Sequence, residues 1–142
     1  MAVDTLRYSP KFLEADHAAF FLEQTEAARK AGKRVDSYFC SLVYLLGLMP
    51  ETRIHFQELF HWQDWGICPE ALSAGWQTGG TLRITRLAFN LWNGFGSDSQ
   101  DGGPVSEACL PDNLFCCSLM EYFFEAIRLR FPECASGKES LC

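Results

Sequence analysis

The stretch Thr78-Gly79-Gly80-Thr81 combines residue types that can bind an anion at the start of a helix. The two glycines lack a Cβ, so a ligand can approach their backbone N–H groups closely. Those groups lie at the positive end of the helix dipole, which favours negative charge. The pattern therefore predicts a site for a small anionic or nucleotide-like ligand. The candidate residues are Trp76, Thr78, Gly79, Gly80, Thr81, Arg83, Arg86 and Asn90.

The same stretch has two other interpretations. It lacks the lysine and spacing of a P-loop, and no strand of a dinucleotide-binding motif precedes it. Threonine and glycine are also common around helix starts, so Thr78 can be an N-cap after a flexible turn, with the arginines in solvent. In the third interpretation, the arginines contact a protein partner. All three stay open at the level of sequence.

Other reactive residue types do not form a convincing catalytic or metal site. His55, His61, Asp64 and Cys68 are possible metal ligands, but no pair has the close spacing of a zinc site. A metal-dependent hydrolase using His61 and Asp64 is thus the third functional alternative. The seven cysteines form an odd set without CxxC spacing, which favours packed, reduced thiols. We expect no catalytic residues, no cofactor and no bound metal.

Helical periodicity defines the elements that must position these residues. It predicts helices at about 14–31, 37–46, 51–60, 80–93 and 119–131, with short turns near Pro69 and Pro111. The helix at 37–46 is the most apolar and is predicted to be central. We find no clear two-residue alternation, so we expect an all-α fold of about five helices, a single domain over residues 1–142. A mobile loop is expected at about 95–109 and a frayed tail at 135–142.

The helix at 80–93 has only one narrow polar strip, formed by Arg83, Arg86, Asn90 and Asn93. Apolar residues cover most of the remaining circumference, as expected of a helix packed on several sides. The polar strip must therefore face water, a pocket or a partner.

Three further polar groups have predicted structural roles. His17 lies in an apolar helix face, so we expect hydrogen bonds to satisfy it. Arg130 falls among apolar residues, and we expect its stem to lie on them while its head pairs with a carboxylate or carbonyl. Glu121 and Glu125 share a helix face with Arg128, which predicts a solvated charge cluster.

Composition limits the partners. The net charge is -6, with a pI near 5.0 and only 12 Lys and Arg, so we expect no binding to a nucleic-acid backbone. The longest apolar run, at 38–49, is shorter than the roughly 20 residues that span a bilayer. The first residues do not resemble a secretory signal. We expect a cytoplasmic protein without a membrane partner.

Three segments carry a resemblance to a family: FLEADHAAFF at 12–21 with the apolar helix after it, AGWQTGGTLRITRLAFNLWNG at 74–94, and FFEAIRLRFPE at 123–133. The chain resembles an uncharacterised family of small proteins from intestinal Gram-positive bacteria and their mobile elements. The resemblance supplies no activity or catalytic residues. By analogy with mobile-element cargo, it implies blocking or sequestering of a host component, including immune machinery. We therefore expect a non-catalytic binding protein with a protein partner, or alternatively one with a small anionic ligand.

Overall fold

The computed structural model describes residues 9–99 and 102–135. Within these ranges the chain forms eight α-helices and two small antiparallel sheets. The helices are α1 (Ala15–Lys30), α2 (Ser37–Leu46), α3 (Pro50–Ile54), α4 (Phe56–Leu59), α5 (Gly79–Asn93), α6 (Pro111–Leu114), α7 (Met120–Arg130) and α8 (Pro132–Ala135). The strands are β1 (Phe60–His61), β2 (Gly66–Ile67), β3 (Ser97–Ser99) and β4 (Gly102–Val105). Two 3-10 helices cover Pro69–Ser73 and Glu107–Cys109.

The fold is mostly helical, but the prediction of an all-α fold is wrong in part. Four strands pair in two hairpins, β1 with β2 and β3 with β4. Each strand has only two to four residues, so none is long enough to display the alternation by which a strand is recognised in sequence.

Helix α2 is the centre of the fold, as predicted. It begins where the Asp36 carboxylate accepts a hydrogen bond from the Phe39 N–H at 3.0 Å, and every residue from Phe39 to its end is buried. Helices α1, α5 and α7 all pack against it and share one hydrophobic core. At its end, a Cβ on Gly47 would meet Phe20 Cδ2 of α1 at 2.8 Å. Only glycine lets the two helices approach this closely.

The predicted helix at 51–60 is in fact two helices separated by His55. Phe60 then leaves the helical conformation and starts a hairpin, in which it pairs with Ile67. Trp65, in the hairpin turn, has a φ of 52°, a conformation that costs energy for a bulky residue. Its indole stacks on Phe39 with ring centroids 4.8 Å apart, and this packing holds the turn against α2.

The segment predicted as a mobile loop contains regular structure. Ser97 pairs with Val105 across the second hairpin, and Ser106 N–H donates to the Gly96 carbonyl at 2.6 Å. A 3-10 helix follows at once. The mobility of residues 95–109 stays a prediction. The frayed tail is predicted at residues 135–142, and from residue 136 onward it lies outside the described part of the chain. None of the described helices is long and apolar enough to cross a bilayer.

Candidate functional site

Two threonines, Thr78 and Thr81, cap the start of α5. Thr81 N–H donates to Thr78 Oγ1 at 3.2 Å, and Thr78 N–H donates to Thr81 Oγ1 at 2.7 Å. The Thr81 hydroxyl in turn donates to Gln77 Oε1 at 2.7 Å. This reciprocal capping box is what the N-cap interpretation predicts. Gly79 and Gly80 form the first turn, where backbone N–H groups have no partner within a helix.

Arg83 lies over this first turn. Its Nε donates to the Asn113 carbonyl at 3.0 Å, which connects α5 to α6. Its Nη1 lies 4.0 Å from the position that a Cβ on Gly79 would occupy. The Nε side of the guanidinium is therefore bonded within the protein, while its Nη1 atom lies close to the Gly79 backbone.

The rest of the polar strip contacts a later segment of the same chain. Arg86 Nη1 lies 3.1 Å from Asp98 Oδ1, an ion pair without a well-directed hydrogen bond. Asn90 Nδ2 donates to the Phe95 carbonyl at 3.4 Å, and Phe95 N–H donates to Asn93 Oδ1 at 3.1 Å. The alternative in which both arginines are solvated is wrong for Arg86, whose side chain is only 16% exposed.

Trp76 belongs to a group that the sequence pattern did not reveal. Its indole is parallel to the His55 ring at 4.2 Å, and its Nε1 donates to Glu58 Oε1 at 3.1 Å. The other Glu58 oxygen lies 2.6 Å from His55 Nδ1. The His55 hydrogen bond, assisted by the Trp76 N–H, holds the pKa of the exposed Glu58 carboxyl below its usual value. The result is a flat aromatic platform fixed by one carboxylate.

The four possible metal ligands do not converge on one site. His61 Nδ1 and Asp64 Oδ2 lie 3.8 Å apart at the surface, whereas Cys68 is buried and His55 is bonded to Glu58. Among the residues in the described ranges, no three His, Cys, Asp or Glu side chains are placed to hold a metal ion. The six described cysteines are free thiols, and burial raises the pKa of Cys40 to about 12.

The predicted environment of His17 is confirmed. Its Nδ1 accepts from the Leu13 N–H at 3.0 Å, so its Nε2 must carry the proton donated to the Tyr44 carbonyl at 2.7 Å. The ring is fully buried, and burial lowers its pKa to about 4. His17 is thus a neutral structural group that joins α1 to α2.

The predicted role of Arg130 is also confirmed, but the predicted charge cluster needs correction. Arg130 Nε donates to the Leu91 carbonyl at 2.8 Å, and its guanidinium lies 3.6 Å from the centre of the Tyr38 ring.

Glu125 is buried rather than solvated. It accepts from the Lys11 N–H at 2.8 Å and from Arg128 Nη1 at 3.3 Å. The N-terminal segment therefore covers this carboxylate.

The outer face of α7 carries a row of large apolar side chains that are exposed or half-buried, which we call the α7 stripe. It consists of Met120, Phe124 and the half-buried Ile127 in the helix and Phe131 at its C-cap. Met120 is 41% exposed, and Phe124 and Phe131 are each 38% exposed. Beside it is an open groove of about 470 Å³, lined by Phe124, Ile127, Arg128, Phe131, Cys134 and Ala135. Sequence reasoning missed this surface because α7 also buries Phe123 and Ala126 on its inner face, so it has apolar residues on both sides.

Comparison with family models gives one match that covers residues 8–141, nearly the whole chain, and it describes a family of unknown function, DUF6075. The chain belongs to this family. The expected membership of an uncharacterised family is thus confirmed, while the taxonomic origin stays a prediction. Comparisons of the DUF6075 chain with curated proteins and with solved structures gave no match.

Proposed function

We propose that the chain is a non-catalytic binding protein that acts by protein contact through the α7 stripe. The observation that carries this proposal is the exposure of three large apolar side chains, Met120, Phe124 and Phe131, along one side of α7 and its C-cap. Contiguous exposed apolar surface of this kind is typical of interaction sites. The stripe residues are four, three and four positions apart, which is the spacing that packs against another helix.

A further observation and an analogy support binding rather than catalysis as the main activity. Two groups that could act as an acid or a base are held in hydrogen bonds: Glu58 is bonded to His55 and Trp76, and His17 is bonded to backbone groups of Leu13 and Tyr44. By analogy, the resemblance to proteins of mobile elements adds a target for the assembled protein, a component of the host's immune machinery.

Site-specific photo-crosslinking tests this proposal. With p-benzoylphenylalanine in place of Phe124, irradiation of cells that produce the protein is expected to give a defined covalent adduct on a denaturing gel. The matched control places the same residue at Ile54, which is 77% exposed on α3 and far from the stripe in sequence. We expect no defined adduct there. No adduct at 124, or the same adducts at both positions, would contradict the proposal.

A second candidate function is binding of a small anion at the start of α5. The position of Arg83 Nη1 over Gly79 favours it, because a guanidinium and helix N–H groups then face the same space. The occupied polar strip limits the candidate site to Gly79, Gly80 and Arg83.

Titration calorimetry with inorganic phosphate and with ATP tests this second function. Replacing Arg83 with glutamine should weaken binding by about 10- to 150-fold, since a charge-assisted hydrogen bond contributes about 1.5–3 kcal/mol. Arg34→Gln removes the same charge from an exposed position between α1 and α2, and it should leave the affinity unchanged. Equal affinities in all three proteins, or no binding to the wild type, would remove this candidate.

A further inference from the structure

We infer that the occupant of the α7 stripe is a second copy of this chain, packed antiparallel to the first in a twofold-symmetric dimer. This inference rests on the proposed function, in which the stripe is a protein contact surface, and it assigns that contact to self-association, with any host component bound at another surface of the dimer. A twofold dimer requires a surface that is complementary to itself. The stripe and the charges beside it satisfy that requirement in two independent ways.

The first argument is the spacing of the stripe. Its intervals of four, three and four residues read the same in both directions. When a second α7 lies antiparallel, Met120 of each copy therefore falls opposite Phe131 of the other, and Phe124 opposite Ile127. At 1.5 Å per residue the stripe is about 16 Å long, enough for three helical turns of contact. Each Phe124 ring then meets the groove that Ile127 and Phe131 line in the other copy.

The second argument is charge complementarity. At 100° per residue, Glu121 and Arg128 lie on the same flank of the stripe, separated by two turns. In an antiparallel pair of helices, identical flanks face each other, so Glu121 of each copy and Arg128 of the other lie on facing flanks, offset by only about 3 Å along the axis. Two symmetric ion pairs result. Glu121 is exposed, and the Arg128 side chain is 53% exposed.

The internal contact of Arg128 is compatible with this arrangement. Its Nη1 pairs with Glu125 of its own chain at 3.3 Å. Because a guanidinium has five N–H donors in all, others remain for Glu121 of the second copy. A parallel arrangement would instead place this flank against the opposite one. There the buried Phe123 lies near the level of Glu121, whereas Arg130 lies nine residues, about 14 Å, further along the helix, so neither brings a positive charge to Glu121. The antiparallel orientation is the one that the charges favour.

Sedimentation equilibrium of the full chain tests the inference. The wild type is expected to be a dimer, and Phe124→Glu should raise its dissociation constant more than about 100-fold, because a charge then replaces a central apolar contact. Ile54→Glu adds the same charge to an exposed position on α3 and should leave the dimer intact. Circular dichroism of each variant shows whether its helices are retained.

Charge reversal tests the antiparallel geometry itself. Glu121→Arg and Arg128→Glu should each weaken self-association about tenfold, since each variant places like charges opposite one another. Mixing the two variants should restore the dimer, because each chain then meets its complement at both positions. This recovery also shows that neither single variant has lost its fold. Failure of the mixture to recover, while the wild type is a dimer, overturns the geometry.

Three results would overturn the inference. One is a monomeric wild type whose position 124 still gives an adduct with a different protein, which leaves the proposed function standing. Another is the absence of any defined adduct together with a monomer, which removes both. The third is a monomer that dimerises only after residues 136–142 are deleted, because those residues follow Ala135 at the groove and would then be its occupant.

Discussion

Replacing Phe60 with alanine is expected to lower the free energy of unfolding by about 3–5 kcal/mol, the usual cost of removing a fully buried phenylalanine ring. Phe60 is inaccessible to solvent at the junction of α4 and β1. Its ring lies 5.1 Å from both Trp65 and Trp92, 5.9 Å from Phe39 and 6.1 Å from Phe56. The substitution therefore leaves a cavity among α2, α4, α5 and the first hairpin. Urea denaturation of the two proteins measures the difference.

Phe124→Ala is the matched control for this prediction. It removes an identical ring, but from a position that is 38% exposed on the α7 stripe. The loss should be smaller, about 1–2 kcal/mol, because the ring is only partly buried and contacts Phe115 with centroids 5.7 Å apart. Equal losses at the two positions would mean that Phe124 is part of the monomer's core, which would contradict the assignment of the stripe as a contact surface. The comparison is made where both proteins are monomeric, since self-association adds to apparent stability.

Acid is expected to destabilise the fold through His17. In the folded chain its pKa is about 4, below its ordinary value of 6.5, because the ring is buried and the positive charge of Arg53 also disfavours its protonated form. The folded state thus favours the neutral ring. As pH falls from 6.5 to 4, the unfolded chain takes up a proton that the folded chain does not, so stability is lost. Two and a half units of pKa correspond to about 3 kcal/mol over this range.

The measurement is urea denaturation at a series of pH values, compared with the His17→Gln variant. Glutamine retains a donor and an acceptor but does not titrate in this range. The variant should therefore lack the His17 part of the pH dependence, while contributions of carboxylates such as Glu58 appear in both proteins and cancel. If the two proteins lose stability in parallel between pH 7 and 4.5, His17 is not a neutral ring held by two hydrogen bonds in the folded chain.

The sequence specified helices where local signals define both ends. Helix α2 begins after its Asp36 cap and ends before Gly47, as predicted. Helix α5 follows its Thr78 cap and ends at Gly94, whose φ of 85° favours glycine. In these cases the residues that end the helix are adjacent to it in sequence. Local chemistry was therefore sufficient.

Features that depend on distant residues were not predictable. Glu125 looks like a surface residue in its own helix, and it is buried because Lys11 bonds to it from 114 positions away. Glu58 likewise meets Trp76 only once the chain has folded. The α7 stripe could not be distinguished from core, because a helix that is apolar on two sides has the same pattern whether one side or both are covered.

The same long-range bonds influence how α7 can associate. Arg130 fixes the end of the helix to the Leu91 carbonyl of α5, and the Lys11 N–H fixes its middle through Glu125. The backbone that carries the stripe is thus ordered before any partner arrives. Docking therefore needs no coupled folding. A flexible interaction segment loses conformational entropy when it binds, whereas α7 has already lost most of this entropy when the monomer folds. A rigid, preorganised helix of this kind can support tight association through a small contact area.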